Sequence, residues 1–494
     1  MFMRRTVISV VVVCLTSSVS GATKAVAPGA LAAYGPTSSL AAFTLVAPTF
    51  EVPSGLLARA VIASGAGCPV LNGSTEAGTD FTLPMKLRPK PVLAGAAYAA
   101  VEVCERGIPA DAVTAMVGSR VIPASLPDRI DRIALSGDSG CRILSNDIQD
   151  CSRLSTWPLA RISRNIAKNE PDVIINLGDY LYRESACPMN DQNLCASSPP
   201  PPGNLPVTGS AASWIADALT PMQPVFDAAP ILMLRGNHES CARGGIGFFL
   251  FFSPQRSTAL QCAPSIVNGA VVVPSNDITP TWHVTWQVGT SDADSRSLTL
   301  EVVDSAYGGD FAVDDFAATQ RTSYVAGANH VAKSRPDEAW LLTHRPIFGM
   351  YPAQFFPNGE SVWASADQAA ASQGLLGGYG LILSSHIHVA QAVNIPGQPG
   401  QLVLGNGATE LYPTTGYPTP TYGPLSKSDG SALSPLATPY PAPTSTWTDV
   451  RFGYAIATPG MDAKSWSFEH RDDRGRIFAE CAVARRAVNC QSTN

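Results

Sequence analysis

The sequence predicts a layered α/β domain preceded by a small β-rich one, on three observations. From residue 129 onward, short apolar runs alternate with stretches of helical spacing, as in strands buried in a sheet with helices on its faces. Before residue 127 the runs are short or alternating, broken by Gly and Pro, without long helical periodicity. The length, 494 residues, allows two to three domains at about 150 residues each.

Composition narrows the class. Only 15% of residues are charged and the net charge is −6, so there is no basic field for a phosphate backbone, and nucleic acid is excluded as a structural partner. Gly and Pro number 41 each without a repeating period, which excludes collagen-like and linker sequences.

Taken in order, residues 1–22 read as a signal peptide: Arg4 and Arg5, an apolar run over 7–15, then small residues Ser20, Gly21 and Ala22. The run is shorter than the ~20 residues of a spanning helix, so the expectation is an exported, secreted or periplasmic protein with no membrane association after cleavage. Of 11 cysteines, Cys14 lies in the signal. An even number remains, which in an exported chain suggests disulfides. Proximity pairs Cys141 with Cys151, Cys187 with Cys195, Cys241 with Cys262, and Cys481 with Cys490, leaving Cys68 with Cys104. No Cys-x-x-Cys is present, which disfavours a cysteine zinc site.

Residues 26–127 form the expected β-rich domain, with strands near 43–46, 57–62 and 92–103. In the main domain, 128–494, buried strands are expected at 133–135, 173–177, 231–234, 298–303, 340–342 and 381–383. Helices are expected at 159–168, ended by Pro171, and at 211–219. Three inserts, near 187–206, 241–274 and 412–448, read as surface loops that can rim a site.

Five of the apolar runs end in metal-ligand residue types: Gly137-Asp138-Ser139-Gly140, Gly178-Asp179-Tyr180-Leu181-Tyr182, Gly236-Asn237-His238-Glu239, Leu341-Leu342-Thr343-His344 and Ser385-His386-Ile387-His388. The carboxyl ends of strands in an open α/β sheet converge on one crevice, so five such ends can meet. A carboxylate at Asp179 can bridge two ions. Asp138, Tyr182 and one of His386 and His388 complete one shell, and Asn237, His344 and the other His complete the second. Singly these residues fit bland roles, Asp138 or Asp179 as turn residues and His344 as an interior histidine. Jointly they do not, because four of only seven histidines fall in these clusters.

The order Gly-Asp-x-Gly, Gly-Asp-x-x-Tyr, Gly-Asn-His-Glu, x-x-x-His, x-His-x-His resembles the calcineurin-like metallophosphoesterase superfamily, and its purple acid phosphatase branch in particular. The branch is indicated by Gly140, standing where other branches carry a ligand His, and by Tyr182 to replace it. The resemblance spans roughly residues 128–485. It implies a sandwich of two central mixed sheets flanked by helices, with Asp138, Asp179, Tyr182 and His388 on one iron and Asp179, Asn237, His344 and His386 on the second metal. Two positions depart from the pattern, Leu341 in place of Val and Ser385 in place of Gly. His283, His330 and His470 have no motif around them and are read as surface or packing residues.

A phenolate is a hard anionic oxygen that suits a trivalent ion, so Fe(III) is expected beside a divalent ion, Zn, Fe or Mn. The expected reaction is hydrolysis of a small phosphorylated substrate by metal-bound hydroxide. His238 is assigned phosphate binding and leaving-group protonation. Glu239 is expected to orient His238, and Arg142 and Arg235 are candidates to pair with phosphate. Asp304 reads as a turn residue with a supporting role as the alternative. Phosphomonoesters come first, with phosphodiesters or nucleotides as the close alternative and a catalytically silent exported binding protein as the rival from another class. A metallo-β-lactamase-like hydrolase lacks its His-x-His-x-Asp-His cluster.

Overall fold

The computed structural model describes residues 39–91, 94–144, 147–196, 209–255, 262, 265–267, 270–272, 278–352, 365–412, 440–460, 462 and 464–493. The expected signal peptide, most of the 412–448 insert and part of the other two lie outside them.

Two mixed sheets dominate. The strands that end in the first three motifs, Ile133–Ser136, Val173–Asn176 and Ile231–Met233, run parallel side by side at the centre of an eleven-stranded sheet. Those ending in the fourth and fifth, Glu338–Thr343 and Leu381–Ser384, are parallel neighbours in a seven-stranded sheet. Along Ile133–Ser136 the side chains alternate faces. Ile133 and Leu135 meet Leu300, Trp340, Leu342 and Leu383 of the other sheet, while Ala134 turns outward against helix Leu159–Lys168. That helix buries Leu159, Ile162, Ser163 and Ile166, one face at i, i+3, i+4, i+7 spacing. Helices Phe316–Ser334 and Ala366–Ser372 cover the outer face of the second sheet. This is the expected layered sandwich, and the N-terminal region is β-rich as expected. No described helix is long and apolar enough to cross a membrane.

Two expectations are corrected. The β-rich region does not stand apart at a boundary near residue 127, because Ala41–Val46 pairs parallel with Ile231–Met233 and carries Leu56–Ala63 and Val101–Gly107 into the eleven-stranded sheet. Only Val70–Thr75, Asp80–Pro84, Ala112–Val117 and Arg120–Ile122 form a separate four-stranded sheet. The 241–274 insert is not wholly a surface loop, since Phe248–Phe252 forms a buried π-helical turn against the outer face of the first sheet. Five consecutive large apolar residues are the sequence signal for that burial. All five disulfides have the pairing that proximity suggests.

Candidate metal centre

Each motif's ligand residues follow the end of its strand, the fourth placing His344 directly after Glu338–Thr343, so their side chains reach the crevice between the two sheets. The turns are tight. Asp138, Asp179 and His386 adopt left-handed backbone conformations (φ 54°, 61° and 75°), which non-glycine residues hold only where surrounding contacts compel them. Gly236 is required by close approach, because a Cβ there would sit 2.1 Å from Asp179 Oδ1. At Gly140 a Cβ would meet the Tyr182 ring at 2.8 Å: Tyr182 fills the space that a side chain at 140 would need.

The seven residues expected to bind metal lie together in two overlapping groups. In the first, the Tyr182 hydroxyl lies 2.7 Å from both Asp138 Oδ1 and Asp179 Oδ2 and 3.1 Å from His388 Nε2. In the second, Asn237 Oδ1 lies 2.9 Å from His344 Nε2 and 2.7 Å from His386 Nδ1, and His344 Nε2 is 3.1 Å from Asp179 Oδ2. One oxygen of Asp179 thus belongs to both groups. All seven are buried.

The outer atoms of these side chains fix which way their lone pairs point. His344 Nδ1 donates to the Leu177 carbonyl at 2.8 Å and His388 Nδ1 to the Glu410 carbonyl at 2.6 Å, while His386 Nε2 lies 3.2 Å from Asp310 Oδ1. A proton held on the outer nitrogen of His344 and His388 leaves the inner nitrogen as an acceptor; His386 Nε2 also faces the Arg345 guanidinium, a donor, at 3.2 Å. The carboxylates follow the same rule: Asp138 Oδ2 accepts the His386 backbone N–H and Asp179 Oδ1 that of His238, so their other oxygens face inward. One phenolic proton cannot satisfy two carboxylates. Turning the Asn237 amide would donate its NH2 toward the same partners; with oxygen inward, the second group is acceptors only, an arrangement that cations satisfy.

The electrostatics agree. Burial disfavours protonation of His344, but Asp179 outweighs it and lifts the imidazole to about 9, so the carboxylate favours a positive charge at Nε2, which a proton or a metal ion can supply. Burial pushes the Asp138 carboxyl well up, helped by Asp179. Burial likewise raises the Tyr182 hydroxyl, and the two carboxylates raise it further. Burial keeps His386 and His388 neutral, the state in which an imidazole is a ligand. A metal pair fits this donor set.

His238 lies beside the groups, its ring against Tyr182 with centroids 3.7 Å apart. Glu239 is not its orienting partner, which corrects the expectation: the Glu239 carboxylate accepts the backbone N–H groups of Asp179, Tyr180 and Gly236 and so holds the second and third motif turns together. The partner is Glu184, whose Oε1 is 2.7 Å from His238 Nδ1, with the Arg243 guanidinium against both. Sequence reasoning missed Glu184 and Arg243, which belong to no motif; Glu184, two residues beyond Tyr182, was signalled only by that nearness. Arg235 is also corrected. It is buried, bonded to Asp304 at 3.0 Å and stacked on Phe249 and Tyr307, so it is structural, and Asp304 is its counterion. Arg142 stands over the Tyr182 ring at 5.6 Å, paired with Asp147. Ser385 points its hydroxyl at Leu177 O and His344 Nδ1, away from the inner lone pairs.

No curated protein sequence matches the chain. Its fold resembles that of the purple acid phosphatase PPD1 from yellow lupin (Lupinus luteus) seeds, with a TM-score of 0.54 and 11% identity over 91% of this chain and 74% of that one. It also resembles PhoD, with a TM-score of 0.50 and 13% identity over 92% of each chain. The sequence profile of the calcineurin-like phosphoesterase family matches residues 132–390. That segment is just over half of the chain and holds all five strand-end motifs, and on it the protein belongs to the calcineurin-like phosphoesterase family.

Proposed function

We propose that the chain is an exported phosphohydrolase that holds two metal ions and cleaves phosphate esters, phosphomonoesters foremost. The observation that supports it best is the convergence of inward-facing acceptors from five strand ends, with their outer atoms already bonded. Asp138, Asp179, Tyr182 and His388 would hold Fe(III), the phenolate oxygen suiting a trivalent ion; Asp179, Asn237, His344 and His386 would hold a divalent ion, Zn, Fe or Mn. Bound there, a metal pair supplies Lewis acidity toward phosphoryl oxygens and makes water nucleophilic near neutral pH.

The chain's own groups do the rest. Glu184 accepts from His238 Nδ1 and holds the ring over Tyr182; Nε2, 2.9 Å from the Arg243 guanidinium, would exchange a proton with the leaving oxygen. Arg243 and Arg142 place positive charge on the two flanks of the crevice to neutralise phosphate. Phosphoryl transfer needs positioning and charge neutralisation above all, so no phosphoenzyme is required. A second reading, a phosphodiester or nucleotide substrate on the same site, draws on the aromatic strip beside it: exposed Phe311 packs on Tyr351, and Tyr351 on Tyr412, which stacks on His388. Such a strip offers a surface for the organic part of a larger ester. Export is supported by the five disulfides, which persist in oxidising compartments.

The test is metal analysis and a visible spectrum of the purified protein, followed by a panel of phosphomonoesters and diesters. Two metals per chain, a tyrosinate-to-iron absorption band lost in Tyr182→Phe, and monoester turnover reduced at least ~10²–10³-fold in Asp179→Asn are expected. A metal-loaded wild type that hydrolyses no phosphoester would leave the silent binding protein standing. Undiminished turnover in Asp179→Asn would remove the bridging role.

A further inference from the structure

Away from that centre, three side chains of metal-binding type meet on the helix-covered face of the seven-stranded sheet. His283, on the edge strand Trp282–Val288, stands directly across from Glu301 on Arg296–Val303. His330 joins them from helix Phe316–Ser334. Their ligand atoms all lie within 4.8 Å of one another. Leu300 and Val302 face the core between the sheets while Val303 faces the helices, so alternation puts Glu301 on the helix side, away from the crevice.

Glu301 is the unusual member. It is fully buried, and its one ion-pair partner among the described residues is the His330 imidazole, which contacts Oε1 through Nδ1. Oε2 is buried with no hydrogen bond, and so is the Tyr379 hydroxyl, both lying beside Gly327, 3.6 and 2.8 Å from the position of a Cβ there. A buried carboxylate without a matched cation is disfavoured, and burial pushes this one up to about 8. The His283 and His330 rings lie face to face, centroids 3.4 Å apart and 14° from parallel. Two imidazolium rings cannot sit so close, and burial lowers both rings below their usual range. Lys333 further disfavours charge on His330. Two neutral imidazoles and a carboxylate short of a cation are a zinc-type donor set. The ligand atoms of the three side chains lie within 4.8 Å of one another; because an imidazole lone pair lies in the ring plane, one stacked ring must turn about its own torsions for both to face a common ion. Both histidines are half-buried, which leaves solvent to fill the fourth position.

We propose that His283, Glu301 and His330 form a further metal site, for a divalent cation of the zinc class, that staples helix Phe316–Ser334 to the edge of the sheet. It takes no part in hydrolysis. The test counts zinc in the metal-loaded full-length protein by elemental analysis and calorimetric titration, in wild type, His283→Ala, His330→Gln and Glu301→Gln. Wild type is expected to bind one zinc equivalent more than each variant, and added zinc to raise the melting temperature of wild type but not of His283→Ala, with phosphoester turnover unchanged. Equal zinc uptake by wild type, His283→Ala and His330→Gln would overturn the site. Because the readout is a difference between chains with the same crevice, it stands whether or not the crevice holds two metals. His283→Ala, at a half-exposed edge position, keeps the test decisive if Glu301→Gln does not fold.

Discussion

At Arg59, Arg88 and Glu105 the chain supplies charge of both signs, whereas around Asp138 and Asp179 it turns mostly acceptors inward, a set that the proposed metal pair would complete. In the first cluster Glu105 bridges both guanidiniums at 2.7 and 2.8 Å. Arg59 Nη1 and Arg88 Nε and Nη2 reach the carbonyls of Phe249, Phe251, Ser253 and Gln255, in and just after the π-helical turn that follows the Asn237-His238 motif. In the second, the inner atoms are acceptors apart from the single Tyr182 hydroxyl proton, which lies between Asp138 and Asp179. Burial is near complete in both, so desolvation is comparable. The difference is that the first cluster carries its own counter-charge once the chain folds, whereas the second would gain its counter-charge from the proposed metal pair. A self-sufficient cluster serves stability and an acceptor-rich one suits chemistry; the first braces the turn that follows Asn237 in the chain.

Substitutions can break that division of labour. The largest effect is expected at His238, which lies beside the acceptors without belonging to either group: His238→Ala should lower kcat ~10²–10⁴-fold with melting temperature and metal content as in wild type. Kinetics on a phosphomonoester, run beside metal analysis, decide it, and a parallel loss of metal would place His238 among the ligands. Next is Glu105→Ala, which strands two buried guanidiniums. A loss of ~3–5 kcal/mol in denaturant unfolding is expected, with metal content of the folded protein unchanged; a matching loss of metal would show that the two clusters are not separable.

The smallest effect is one of pH. Burial opposes ionisation of Glu105, but Arg59 and Arg88 outweigh it and hold the carboxyl below its ordinary 4.5. A carboxyl depressed on folding stabilises fully above its unfolded value and loses that contribution as pH falls through the folded one. The stability gap between wild type and Glu105→Gln should therefore narrow from pH 6 to pH 3 in parallel denaturant titrations. A constant gap would mean that Glu105 acts by hydrogen bonding alone.

Much of the centre was legible because the chemistry and the strand signal coincide in sequence. Each ligand type follows an apolar run within a few residues, and a parallel strand's end is where a crevice opens. Helix Leu159–Lys168 was equally plain, since its apolar residues repeat at the helical period. The partners of His238 were hidden, because Glu184 and Arg243 reach it from separate loops and an ion pair leaves no periodic trace. Glu239 misled for the same reason: sequence adjacency to His238 suggested contact, yet its carboxylate turns back onto the backbone of Asp179 and Tyr180. Ala41–Val46 was visible as a strand, but an apolar strand does not state which sheet takes it.

By itself the sequence determined the buried strands that lead into the motifs, the order of the motifs, the cysteine pairs closest in the chain and the residue types that can hold cations, because each is written in local spacing and composition. The strand expected at 92–103 instead begins at Val101, after a 3-10 turn at Ala96–Tyr98. Only the tertiary structure decided that the N-terminal strands extend the sheet of the metal motifs, that Arg235 pairs inward with Asp304, that Glu184 holds His238, and that His283, Glu301 and His330 share one face. Those outcomes depend on which surfaces come together to leave water, and burial is a property of the packed whole.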